Sequence, residues 1–187
     1  MRFLLSFIVA AVVLAAPAAA QQRPGTPRLL SPRDTVRLTV SPGKQVLVDY
    51  GRPLMRGRRI MGELVPWGRP WRTGANAATT LVTDVDLRIA GTVVPRGTYT
   101  LYTLPTPQRW TLIINRQTGQ WGTQYEPARD LVRIPMRLTA LQRPVEQFTI
   151  GLAPVRTGQF ELAMEWETTR VSVPVEVVAA PAARVRR

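Results

Sequence analysis

Apolar and polar residues alternate one for one along most of this chain, and no stretch holds the three-to-four spacing of an amphipathic helix. Val132, Ile134, Met136 and Leu138 alternate with Arg133, Pro135 and Arg137; Phe160, Leu162, Met164 and Trp166 do so with Glu161, Glu165 and Glu167 around Ala163. Val171, Val173, Val175 and Val177 form a third set, Trp110, Leu112 and Ile114 a fourth, and Phe148, Ile150 and Leu152 a fifth. Successive side chains of a strand point to opposite faces, so each set lines one buried sheet face. Turn residues separate the runs at Ala90-Gly91-Thr92, Pro95-Arg96-Gly97, Pro105 to Pro107, Thr118-Gly119 and Thr157-Gly158. The pattern predicts an all-β fold of about eight to ten short antiparallel strands, a β-sandwich of jelly-roll or immunoglobulin-like type. At most a turn or two of helix fits, near Glu126 to Asp130. Pro135 and Pro174 cannot donate to a ladder and are expected at edges or bulges.

The alternation breaks once, between Tyr50 and Thr79. The segment runs Tyr50-Gly51-Arg52-Pro53, Arg56-Gly57-Arg58, Leu64-Val65-Pro66-Trp67-Gly68 and Trp71-Arg72-Thr73-Gly74-Ala75-Asn76. A connection of this length without periodicity is a functional loop or a disordered one, and two tryptophans favour the ordered kind. It is the expected site.

Absences narrow the chemistry. The chain has no histidine, which removes Ser-His-Asp and Cys-His nucleophile systems, histidine bases and histidine metal sites. It has no cysteine, so no disulfide stiffens it. No metal site and no cofactor is expected. The formal net charge is +13, and of the 25 basic residues all but Lys44 are arginine. Arginine suits planar, bidentate recognition of carboxylate, phosphate or sulfate, and the excess charge attracts anionic surfaces. A GC-rich genome would produce the same bias without any ligand.

Residues 1–20 read as a secretory signal. Arg2 supplies the positive end, Phe3 to Ala16 the apolar stretch, and Ala18-Ala19-Ala20 a small-residue cleavage site before Gln21. Pro17 interrupts a run too short for a membrane span. A periplasmic or secreted location is expected, and nucleic acid is not an expected partner. Residues 21–34 read as a flexible proline-rich leader, 35–178 as the sandwich domain, and 179–187 as a basic tail. The oligomeric state is not legible.

Arg52, Arg56, Arg58, Arg59, Arg69 and Arg72 crowd the loop, with Glu63 the acid among them. They can clamp an anion, with Trp67 and Trp71 as flat faces for sugars or rings. Equally, Arg52 and Arg72 can tie the loop down through carbonyls and Asp49, with the tryptophans as plugs, and Arg56, Arg58 and Arg59 can be a solvated run. Tyr50 beside Arg52 is either an activated phenol or a core tyrosine. Asn76, after Gly74, either bridges backbone or meets a ligand. Glu161, Glu165 and Glu167 share a strand face at a spacing open to glycoside hydrolysis or weak calcium binding, but pairing with Arg133, Arg137 or Arg170 is the commoner fate.

The succession from Tyr50-Gly51-Arg52-Pro53 to Trp71-Arg72-Thr73-Gly74-Ala75-Asn76 resembles the bacterial domain of unknown function 2911 family. So do Gly97-x-Tyr99-x-Leu101, Trp110 with Asn115, Trp121-Gly122, and Trp166-Glu167 close to Val171-Ser172-Val173-Pro174. The resemblance spans about residues 46 to 178. It implies an exported, often lipid-anchored, predominantly β protein with no established activity. This chain departs from it in carrying Ala77 where relatives usually have glutamate, Trp67 where they have tyrosine, and no lipid-attachment cysteine.

The expected function is therefore binding of an anionic or carbohydrate-like envelope ligand through Tyr50, Arg52, Trp67, Trp71, Arg72 and Asn76. The alternatives are a carboxylate-dependent hydrolase or lyase using Glu63, Asp49 or Glu165 with Glu167, and a structural envelope protein docking peripherally on anionic surfaces.

Overall fold

The computed structural model describes residues 31–178, so the expected signal, most of the leader and the basic tail lie outside the described residues. Nine strands form one antiparallel sheet among them: β1 (Arg33–Ser41), β2 (Lys44–Gly51), β3 (Thr79–Thr83), β4 (Leu87–Ile89), β5 (Thr92–Val94), β6 (Gly97–Pro105), β7 (Trp110–Asn115), β8 (Asp130–Arg156) and β9 (Gln159–Val177). Their order across the sheet is β1-β2-β3-β6-β7-β8-β9-β4-β5. A single 3-10 turn, Pro127–Arg129, falls where the pattern allowed a turn of helix. The fold is all-β and sandwich-like, as the alternation predicts.

Two layers come from one sheet because the β4–β5 hairpin leaves β3, pairs with β9, and returns to β6 on the other side. The core between the layers takes Val46, Val48 and Tyr50 from β2, Phe148, Ile150 and Leu152 from β8, and Leu162, Met164 and Trp166 from β9. These are the alternating sets read from the sequence. Burying a side chain of this size contributes about 1.5–3 kcal/mol, so the shared face is what holds the layers together.

Two strands are long rather than short. β8 joins the Val132 and Phe148 runs, and β9 joins the Phe160 and Val171 runs. Register shifts between Ala140 and Val145 and between Val145 and Thr149 let β8 bend from one layer into the other. The prolines mark the changes of partner. Pro135 lies opposite Thr111 of β7, before the ladder to β9 opens at Arg137. Pro174 lies between Ser172, paired with β8, and Val175, paired with β4. The missing N–H is harmless at both places.

The long loop, residues 52–78, is stitched to the layers at several points. The Met55 N–H donates to the Glu146 carbonyl at 2.8 Å, and the Phe148 N–H to the Pro53 carbonyl at 2.9 Å, so this limb adds to the free edge of β8. Glu167, at φ 53°, accepts from the backbone N–H groups of Ile60 and Met61 at 3.3 Å each. Trp71 pairs with Thr103 of β6 through bonds of 2.7 and 2.9 Å. The two limbs cross at Gly51 and Gly74. A Cβ on Gly51 would stand 2.2 Å from the Ala75 carbonyl oxygen, and one on Gly74 2.8 Å from that of Gly51. Only glycines permit this crossing.

Candidate functional site

The crossing turns successive side chains of the second limb to opposite sides. Trp71 points inward, stacked on Trp166 at 5.9 Å and 17° and met edge-on by Phe148 at 5.0 Å and Trp110 at 6.5 Å. Arg72 lies outside the sheet, its stem against Gly122, where an added Cβ would fall 2.1 Å from Arg72 Cδ. Thr73 follows at φ 53°, a strained value for a β-branched residue. Its hydroxyl lies 3.3 Å from both the Trp71 carbonyl and the Thr103 hydroxyl, and its carbonyl accepts from the Thr79 hydroxyl at 2.7 Å. Asn76, at φ 65°, accepts the Gly122 N–H at 3.1 Å on its carbonyl and donates its amide to the Ser31 carbonyl at 3.4 Å. The backbone around Arg72 is thus over-determined from several directions.

Between the limbs opens a cavity of about 510 Å³. Leu64, Val65 and Pro66 wall it on one side, and Trp71 and Trp166 also line it. Arg56, Arg58 and Arg72 supply its charge, and Ser31, Asn76, Thr123 and Tyr125 its other polar side groups. No carboxylate lines it among the described residues.

The three cations differ. Arg58 donates to the carbonyls of Met55 at 2.9 Å and Leu54 at 2.7 Å. The Arg56 backbone N–H is held by the Glu146 carboxylate at 2.9 Å. Arg72 is half-buried, and its Nε has no hydrogen-bond partner among the described residues. Burial pulls the proton affinity of its guanidinium below the ordinary arginine value, with nearby Tyr102 acting against that. An arginine stays protonated all the same, so a partly desolvated charge is held without a counter-ion among the described residues. Behind it, Tyr102 accepts from the Gln120 amide at 3.1 Å, while the Gln120 Oε1 is buried and also unpartnered.

Of the six residues read from the sequence, the structure brings Trp71, Arg72 and Asn76 together at the cavity. Trp67 adjoins lining Pro66 but does not line the cavity; its indole lies against Gly62 and is 37 % exposed. Tyr50 and Arg52 serve the scaffold. Tyr50 is buried, and its hydroxyl accepts the Ile150 N–H at 3.0 Å and lies 3.4 Å from that residue's carbonyl. Burial raises its pKa, against the hydrogen bond from Ile150 and the charge of Arg52. Arg52 donates to the Phe148 carbonyl at 3.2 Å, the Thr149 hydroxyl at 3.0 Å and Asp34 at 2.9 Å. Asp49, the expected partner of Arg52, instead holds Arg33 and the Thr35 hydroxyl.

The candidate acids lie elsewhere. Glu63 faces Arg59 at 3.7 Å on the surface. Glu161 and Glu165 both pair with Arg170, and Glu167 turns away from them to hold the loop backbone. No group of three or more acids able to hold a metal ion occurs among the described residues. Gly122, Thr123, Tyr125 and Trp166 escaped the sequence reading as site residues. They reach the cavity from segments far along the chain, and no spacing announces that.

Fold and cavity together define an all-β, sandwich-like protein with an arginine-bearing cleft under an ordered loop. The chain belongs to the family described as Protein of unknown function (DUF2911), which it matches over residues 31–175. No curated protein and no solved structure matches it.

Proposed function

We propose that this protein binds an anionic, carbohydrate-like ligand in the loop cavity, in the envelope compartment to which residues 1–20 would direct it. One observation carries the reading. Arg72 is held half-buried by strained backbone, its Nε without a partner among the described residues, at the wall of a cavity that those residues line with arginines and no carboxylate. Burying an uncompensated charge is costly, and a ligand oxyanion removes that cost. The cavity has the size of an ordinary small-molecule site. Trp71, Trp166 and Leu64 to Pro66 give it an apolar side suited to the body of such a ligand.

A carboxylate-dependent hydrolase or lyase would need acids at the cavity. Asp49, Glu63, Glu165 and Glu167 are each engaged away from it, so binding without turnover is the better-supported reading. The test is a thermal-shift screen of residues 21–187 with phosphate, sulfate, small carboxylates and acidic sugars, at low and high salt. A ligand at a hundredfold over its Kd adds about 2.7 kcal/mol, or about 5 to 10 °C for a domain of this size. A salt-resistant shift lost in Arg72→Ala is the expected result. Shifts given only by polyanions and erased by salt would assign the effect to surface charge instead.

A further inference from the structure

We infer that Trp121 forms a second, exterior subsite of the same site, and that the ligand is a carboxylated glycan chain longer than the cavity. The inference rests on the proposal that an anion binds at Arg72. Trp121 is 54 % exposed, more than any other tryptophan among the described residues. Its backbone is not loose. It forms a bridge with Ala77, its N–H lies 3.3 Å from the Gln124 side-chain oxygen, and its carbonyl accepts from the Gln124 N–H at 2.9 Å. The next residue, Gly122, bonds to Asn76 and touches the Arg72 stem. An exposed indole on a hydrogen-bonded backbone is therefore built into the same unit as Arg72.

The chemistry of the pair selects the ligand. The Arg72 Nε is enclosed by the protein, so a ligand meets the terminal Nη pair, whose parallel N–H bonds match the two oxygens of a planar carboxylate. An exposed indole face takes the flat C–H face of a sugar ring and has little to offer an isolated small ion. Gly122 and Thr123, next after Trp121 in the chain, line the cavity, so one sugar unit can sit at Arg72 while the next covers Trp121. No acid among the described residues lines the cavity to repel repeated carboxylates, and Arg56 and Arg58 also line it.

Calorimetric titration with galacturonic acid and its oligomers of two to six units tests this, with neutral malto-oligosaccharides and sulfated oligosaccharides of equal length as controls. The native protein should gain about tenfold in affinity from one unit to three, as one added stacking contact provides. Trp121→Ala should abolish that gain with chain length, Trp121→Phe should keep part of it, and Arg72→Ala should lose uronate binding altogether. Because Trp121 is exposed, an unchanged Tm in its variants confirms that they fold. Affinity independent of chain length, or a Trp121→Ala profile like the native one, overturns the subsite. Tighter binding of the sulfated or neutral series overturns the carboxylate assignment. If the thermal screen finds small anions that depend on Arg72 while no uronate binds, the glycan inference fails alone. If no anion binds at all, the cavity reading fails with it.

Discussion

The root and the far limb of one loop place an arginine each, and the two are opposites. Arg52, at the root, gives hydrogen bonds from all three nitrogens to a carbonyl, a hydroxyl and a carboxylate. Arg72, on the limb, has a buried Nε that meets nothing. Both were plausible anion clamps in the sequence, and both were plausible fasteners. What separates them is whether their donors are already spent. A saturated arginine holds the scaffold, and an unsaturated one in a walled cavity is available to something else.

The sharpest way to test that contrast begins beneath it. Trp166 supports Trp71 from the core, so Trp166→Ala should remove about 3–5 kcal/mol of stability and loosen both limbs together, read by denaturant unfolding. Next, Arg52→Ala should cost about 1–3 kcal/mol, because it strips the Phe148 carbonyl, Thr149 and Asp34 of their donor. Arg72→Met keeps the stem over Gly122 and deletes the charge. Its stability should equal or exceed the native value by up to about 1 kcal/mol. A loss as large as that of Arg52→Ala would break the comparison and make Arg72 a fastener too.

The smallest effect lies at the cavity wall and is confined to alkaline pH. Burial, and then the hydrogen bond to Asp130, push the Tyr125 pKa up to about 12. The folded state then keeps a proton that the unfolded chain, with its tyrosine near 10, has released. Between about pH 10 and 12 the unfolded state binds fewer protons, so stability falls as pH rises, and it is fully present below pH 10. In Tyr125→Phe the Tm should fall less steeply over that window than in the native protein. Equal slopes would mean that the other tyrosines with raised pKa values, Tyr50, Tyr99 and Tyr102, carry the effect.

The fold was largely legible because its information is local. Alternation at Val132 to Leu138 or Val171 to Val177 tells which side chains share a face, whatever lies across from them. Strand lengths were not legible. Whether two alternating runs are one bent strand depends on bulges such as that between Ala140 and Val145, which leave no fixed signature. The site was half legible. The loop declared itself by losing the alternation, and Trp71, Arg72 and Asn76 came with it. That Asp49 would be taken by Arg33, leaving Arg52 to Asp34, depends on the register of β1 against β2. The contribution of Gly122 and Tyr125 depends on a return of the chain across the outside of the sheet.

A strand that belongs to both layers leaves the molecule without a seam. β8 gives its first part to β7 and the rest to β9, and the loop's first limb closes on its other edge. Natural domain boundaries fall where few contacts cross, and no such place exists along β8. Recombination between relatives therefore cannot exchange one layer for another; it inherits the whole domain or breaks it. Novelty has to enter by substitution in the loop, whose attachment points hold the frame while the residues between them change. On this architecture, relatives should diverge in ligand by altering the cavity lining between fixed anchors, with the β framework beneath unchanged.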